Sequence, residues 1–376
     1  MPRATVPAPS AALSSPSSPS RYPNTPPRDV LVVDSAVAAR RVAARLMSAE
    51  LADRVFACDT EVASIDVAGQ SPYLHGRVIC LSIYAGPDLD FGAAPGQAPG
   101  PAGARRSIIW ADTLLDGTEA TAAESRAILE AFAPFLRCFR RQKVWHNYSF
   151  DRAVLAHEGL ACGAFGGDTM HMARMWDSSR KGKGYSLESL SSDPALWIPP
   201  EENDAGKKKG AADVERATDR FLKPLAKRPA AFPAATKHSM KSEFARPRLL
   251  RSGQPGKVTY LPPVEEIQTD PDTRWRWIRY SARDAEATWQ LYRSLRARLE
   301  ATAPVAVDDP VRANLAAEGV ALRSMWDVYA YVWRPLGEVL TRMEMRGMPL
   351  DRAFLQQAQA RAEADAQRAR EYFGRW

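Results

Sequence analysis

The chain has 376 residues, enough for one large domain or two smaller ones. Hydrophobic residues make up 45% and charged residues 25%, ordinary for a globular protein, and no apolar run approaches the roughly 20 residues of a membrane span. A formal charge of +7 and a pI of about 9.3 favour an acidic partner such as nucleic acid, while four scattered cysteines without a CxxC pair argue against a zinc site and for a reducing compartment.

Residues 1–28 are rich in Ser, Pro and Ala, with Arg3, Arg21 and Arg28 and no acid. That composition reads either as a disordered tail or as an organelle transit peptide. Asp29–Val33 reads as a short strand, and Ser35 as the cap of a helix through about Leu51. Val55–Asp59, Arg77–Tyr84, Ser107–Trp110, Lys143–His146 and Phe165–Gly167 are β-rich runs. Between the second and third, 87–103 is a loop of Gly, Pro and Ala. Thr121–Phe139 predicts an amphipathic helix with Ile128, Phe132, Phe135 and Leu136 on one face. Phe150–His157 and Thr169–Trp176 read as further helices. Strands and helices alternate, so the class is α/β. Asp59 and Asp151 are both expected where a strand gives way to the next element, the place where open α/β sheets collect ligands.

From about residue 199 to 256 the texture changes to Lys, Pro and Ala without clear periodicity. Between Glu201 and Lys257 there are seven acids and fourteen bases, an excess equal to the net charge of the whole chain. This segment reads as a solvated loop insertion or as a flexible basic arm that holds a substrate strand. Trp275–Glu300 predicts a long helix, since Trp277, Tyr280, Ala287, Leu291 and Leu295 recur at helical spacing. A second helical region is expected from about Asn314 to Met345, bent at Pro335, capped by Gly347 and stopped by Pro349. Arg352–Phe373 reads as a polar helix.

Three stretches carry chemistry: Cys58-Asp59-Thr60-Glu61-Val62, His146-Asn147-Tyr148-Ser149-Phe150-Asp151 and Tyr280-Ser281-Ala282-Arg283-Asp284. In a strand, residues i and i+2 face one side, so Asp59 and Glu61 project together. On a helix, i and i+4 share a face, so Tyr280 and Asp284 point the same way. Phosphodiester hydrolysis needs an activated water and neutralised oxygens, which two divalent cations about 4 Å apart supply. Hard cations such as Mg²⁺ take carboxylate oxygens. Each signal alone is common as a strand end, a turn or an ordinary helix face; their conjunction in this order is what points to a two-metal nuclease. His171 reads as part of a packing helix with Met170, Met172 and Met175. Most of the ten tryptophans read as core, and Asp168 reads as a helix cap rather than a further ligand.

The trio resembles the three exonuclease motifs of the DEDD superfamily, in the subgroup with tyrosine in the third. The stretches CDTEVASIDV, VICLSIYAG, KVWHNYSFDRAVL, DTMHMARMWDSSR, GYSLESL and PPVEEIQ resemble the proofreading domain of the plant and protist organellar DNA polymerases of family A. WRPLGEVLTRMEMRGMPLDRAFL resembles the opening of that family's polymerase region. The resemblance implies a ribonuclease H-like fold, a mixed sheet of about five strands flanked by helices and followed by a helical C-terminal segment. It implies two divalent ions, Mg²⁺ or Mn²⁺, held by Asp59, Glu61, Asp151 and Asp284. Asp59 would bridge both ions, Asp151 would act through water, and Tyr280 would orient the attacking water. Thr60, Ile65, His146, Asn147, Phe150 and Tyr185 are implied near the 3′-terminal nucleotide. The implied partner is a single-stranded or frayed DNA 3′ end, with RNA an open alternative, and the implied location is the mitochondrion or plastid.

The expected organisation is a tail over 1–28, an exonuclease domain over 29–300 carrying the basic insertion, and over 311–376 the helical start of a polymerase region. The acidic, Lys-rich and His-Asp-Glu motifs of a polymerase are not found, so no polymerase activity is expected, and the chain reads as a fragment or a truncated product. Two competing readings stand beside the first. One is a ribonuclease D-like exoribonuclease. The other is a non-catalytic nucleic-acid-binding accessory module.

Overall fold

The computed structural model describes residues 22–94, 97–101, 104–197, 238–250, 252–304 and 309–376. Most of the N-terminal tail and, within the basic insertion, residues 199–237 and 251 lie outside the described residues. The described chain forms two units, one ending at Leu336 and one from Gly337 to Trp376.

The first unit is built on a six-stranded mixed sheet in the order β1-β4-β3-β2-β5-β6. Its strands are β1 (Val30–Val33), β2 (Val55–Ala63), β3 (Arg77–Tyr84), β4 (Ile108–Asp112), β5 (Gln142–Trp145) and β6 (Phe165–Asp168). β3 runs antiparallel to both β2 and β4, whereas β1, β5 and β6 join in parallel. This is the helix-flanked mixed sheet expected of a ribonuclease H-like fold, with β1 added as a sixth strand at the edge. β2 is longer than expected. The antiparallel ladder with β3 carries it past Asp59 to Ala63, with a bulge between Glu61 and Val62. Asp59 therefore sits inside a strand and not at its end.

Alternation along the strands sends side chains to two separate cores. Phe56 and Cys58 of β2, Leu81 and Ile83 of β3, and Ile109 of β4 pack on one face. Helices α1 (Ala36–Leu46), α2 (Ala122–Ala131), α3 (Ala133–Arg137) and α4 (Tyr148–His157) cover that face. Ala57, Ile79, Ile108, Trp110 and Val144 point to the other. There they meet α5 (Thr169–Trp176), α6 (Leu187–Ser191), α7 (Pro194–Trp197), α8 (Met240–Phe244), α9 (Val264–Thr269) and the 28-residue α10 (Arg274–Ala301). The helix expected over 121–139 is two helices, because Pro134 cannot donate to the preceding turn. Its four apolar residues are nonetheless all buried.

The C-terminal part of the basic insertion is regular after all. After α8, β7 (Arg246–Leu249) and β8 (Pro255–Tyr260) form a separate two-stranded ribbon. The region expected to be one bent helix from Asn314 is also broken up. α11 (Asp309–Ala317) ends at Gly319, whose φ of 78° closes the helix. α12 (Met325–Val328) starts afresh behind a Ser324–Asp327 capping box. A π turn at Tyr329–Trp333 leads into α13 (Arg334–Arg346). The π turn falls just before Pro335, which lacks the N–H that a regular α turn would need there.

In the second unit Gly347 adopts φ 64° and donates to the Met343 carbonyl (3.0 Å), the expected stop. Asp351 then caps α14 (Arg352–Gly374) by accepting from the Phe354 N–H at 3.0 Å. α14 buries no residue, as its polar composition requires.

Candidate active site

β2 outlasts β5: their pairing ends at Ala57–Val144, and from there the flank of β2 is open. Asp59, Thr60 and Glu61 follow on that open stretch. Asp59 and Glu61 point to the face covered by α10, and Tyr280 and Asp284 lie one turn apart on that helix. One carboxylate oxygen from each of Asp59, Glu61 and Asp284 falls within 4.8 Å of the other two. Asp59 and Glu61 are half-buried, and Asp284 is buried. Three anionic oxygens converging like this repel one another, and a hard cation with oxygen ligands is the group that relieves the repulsion. The donor set fits Mg²⁺ or Mn²⁺.

Asp151 reaches the same strand from the opposite core. It lies in the first turn of α4, and its Oδ1 accepts from the Thr60 N–H (2.9 Å) and the Thr60 hydroxyl (2.7 Å). It thus flanks the residue between Asp59 and Glu61 without joining their cluster. Burial pushes the Asp151 carboxyl up to about 7; the Thr60 bonds oppose this and the charge of Asp168 adds to it.

The turn that carries Asp151 has its own support. Asn147 caps α4 in the left-handed conformation (φ 67°). The buried Asp168 carboxylate accepts from the N–H groups of Asn147 (3.1 Å), Tyr148 (2.9 Å) and Met170 (2.8 Å). Asp168 is therefore the expected cap of α5, and it also ties the β5–α4 turn to β6. His171 lies with its Nε2 3.7 Å from Asp168 Oδ2, beside this cap and away from the acidic cluster.

The remaining predicted substrate residues are dispersed around this core. Thr60 is buried on Asp151. His146 Nδ1 lies 2.8 Å from the Thr169 hydroxyl, and Asn147 is exposed at the turn. Ile65 is half-buried just beyond β2, and Phe150 packs partly against the α1–α4 core. The Tyr185 hydroxyl donates to the Asp177 carbonyl at 2.8 Å, and the Arg174 guanidinium lies over its ring. Tyr280 is buried, stacked on Trp277 and met edge-on by Phe244 of α8 at 5.5 Å.

A buried polar chain that sequence reading missed holds α10 to the sheet. Trp110 Nε1 donates to the Ser281 hydroxyl (2.8 Å), and Ser281 donates to the Trp277 carbonyl (2.9 Å). Trp277 Nε1 donates to Gln268 Oε1 (2.8 Å), and Gln268 Nε2 donates to Asp112 Oδ1 (2.8 Å). Arg274 pairs with the other Asp112 oxygen at 2.6 Å. Ser281 sits between Tyr280 and Asp284, so this chain sets the rotation of the helix that presents both. Its two halves, Trp110 with Asp112 and Gln268 to Ser281, are more than 150 residues apart; Gln268 ends the PPVEEIQ stretch and Ser281 lies inside the third motif, but neither stretch signals that they bond to the sheet.

No protein-family model matches the chain. Among curated proteins it is 36% identical over 348 residues to DNA polymerase I A, chloroplastic/mitochondrial, of Arabidopsis thaliana, covering 92% of this chain and 28% of that protein. The match to DNA polymerase I B, mitochondrial, of rice (Oryza sativa subsp. japonica) is 36% over 351 residues, with the same coverage. Among solved structures, the POL domain of Pol1 from M. smegmatis, in complex with DNA primer-template and dNTP, aligns at a TM-score of 0.43. Its identity is 14%, covering 88% of this chain and 35% of that one. Over nearly its whole length, then, the chain is similar to a part of plant organellar DNA polymerase I, and it spans 28% of the length of those relatives.

Proposed function

We propose that the chain is a metal-dependent 3′→5′ exonuclease that removes nucleotides from DNA 3′ ends, the proofreading part of an organellar polymerase. The observation that carries this is the convergence of Asp59, Glu61 and Asp284 oxygens within 4.8 Å at the open flank of β2. DNA, rather than RNA, is favoured because the curated relatives are DNA polymerases. Their names, chloroplastic and mitochondrial, support an organellar location. A polymerase region in the same longer chain would be the partner.

Divalent ions, Mg²⁺ or Mn²⁺, would supply water activation and neutralise charge on the attacking and leaving oxygens. Asp59, Glu61 and Asp284 would hold them, with Asp151 acting from the far side of Thr60. Tyr280, one turn before Asp284, would orient the attacking water with its hydroxyl. Thr60, Ile65, His146, Asn147, Phe150 and Tyr185 would grip the terminal nucleotide.

The test is Mg²⁺-dependent trimming of a 3′-labelled single strand by Asp59→Ala and Asp284→Ala variants. Both should lose trimming while keeping the parental circular dichroism. Trimming at the parental rate by either variant would refute the assignment.

A further inference from the structure

The β7–β8 ribbon joins two helices, α8 and α9, each of which touches a residue close in sequence to a member of the acidic cluster. On one side Phe244, at the end of α8, packs edge-on against Tyr280 at 5.5 Å. On the other, Glu265 of α9 accepts from the Ser64 hydroxyl at 3.2 Å, three residues beyond Glu61. Arg246 braces the base by pairing with Glu266 of α9 (2.6 Å) and with Asp270 (2.8 Å), which caps that helix at its C-terminus. The ribbon is therefore fixed beside the site at its stem.

Its outer part is bare. Leu249 is 71% exposed and Val258 64%, and Arg248, Lys257, Thr259 and Tyr260 are exposed as well. Four successive residues of β8, Lys257 to Tyr260, are exposed, so both faces of that strand are open. A two-stranded ribbon is only marginally stable alone in water, and this one leaves apolar side chains uncovered. Residues 246–263 contain four bases and no acid. Arg246 is neutralised by its α9 partners, which leaves Arg248 and Lys257 as the basic side chains of the described outer part. A polyanion with stackable faces matches that surface in charge and in its apolar and aromatic side chains.

We propose that this ribbon is the wall along which the single strand leaves the active site, with Arg248 and Lys257 on its phosphates. The proposal rests on the exonuclease reading only for which end of the strand lies in the site.

The test is binding of a fluorescent 12-nucleotide single strand to the full chain in EDTA, followed by anisotropy across a KCl series. Two phosphate contacts on single-stranded DNA contribute about 1.4 to the slope of log K against log salt, roughly 0.7 each. The Arg248→Ala/Lys257→Ala variant should lose that much slope, and its Kd should rise by about 25-fold at 0.1 M salt. The charge-keeping variant Arg248→Lys/Lys257→Arg should retain the parental slope, which separates charge from folding. An unchanged slope in the alanine variant would overturn the proposal. So would a slope lost equally in both variants. An unchanged slope with a shift in gel-filtration elution would assign the ribbon to self-association instead. Binding in EDTA is read without hydrolysis, so a chain that binds as described yet trims nothing sinks the exonuclease reading alone.

Discussion

Replacing Asp168 by alanine removes one carboxylate from three backbone donors at once. Oδ1 accepts from Asn147 and Met170, and Oδ2 accepts from Tyr148, in a residue 1% exposed. The Met170 bond is an N-cap, worth about 1 kcal/mol. The Asn147 and Tyr148 donors would be left without that acceptor, at about 1–3 kcal/mol each where water cannot replace it. Asn147 is held at φ 67°, in the left-handed region that asparagine enters more readily than other residues with a side chain, so the turn itself adds little to this cost. The Asp168→Ala variant should therefore lose about 4 kcal/mol of stability in urea unfolding at neutral pH. Asp168→Asn keeps an acceptor and should lose clearly less. Because the turn leads directly to Asp151, trimming by the folded fraction at low temperature should fall on the order of 10- to 100-fold, the cost of a displaced reacting group. Loss of less than about 1 kcal/mol would refute the claim that the carboxylate holds the turn. Full destabilisation with parental trimming by the folded fraction would show that Asp151 does not depend on it.

Tyr280→Phe removes one hydroxyl and leaves the stacked ring and all four acids, so it should slow trimming less than Asp59→Ala; an equal loss in both would contradict that role. For Asp151 the sign follows from its raised carboxyl. In metal-free protein the stability it contributes is full below about pH 4 and is lost as pH rises through about 7. An Asp151→Asn variant in EDTA should therefore gain on the parent between pH 5 and pH 8 by about 3 kcal/mol, the part of a roughly 3-unit shift that falls between those two pH values. Urea midpoints at the two pH values measure it, and a difference that does not widen with pH would count against the buried charge.

Much of this molecule is written locally. Ser35, Gly347 and the Thr169–Trp176 helix stand where their residue types place them, because caps and turn glycines act within a few residues. Asp59 with Glu61, and Tyr280 with Asp284, could each be paired from the period of a strand and of a helix. What no local pattern could supply is the meeting of those pairs. It depends on β2 running past β5, on the register of β2 with β3, and on the buried chain from Trp110 through Ser281 and Gln268 to Asp112 that sets the rotation of α10. The ribbon at 246–260 was equally hidden, since its composition continues that of the Lys-, Pro- and Ala-rich sequence before it. Only its anchoring by Phe244 on Tyr280 and by Arg246 on α9 distinguishes it. Sequence alone determined the identity and pairing of the acids, because periodicity and residue type are short-range properties. Tertiary structure alone decided that three of them share one cation-sized space while Asp151 waits behind Thr60, because that depends on contacts between residues 91 or more positions apart.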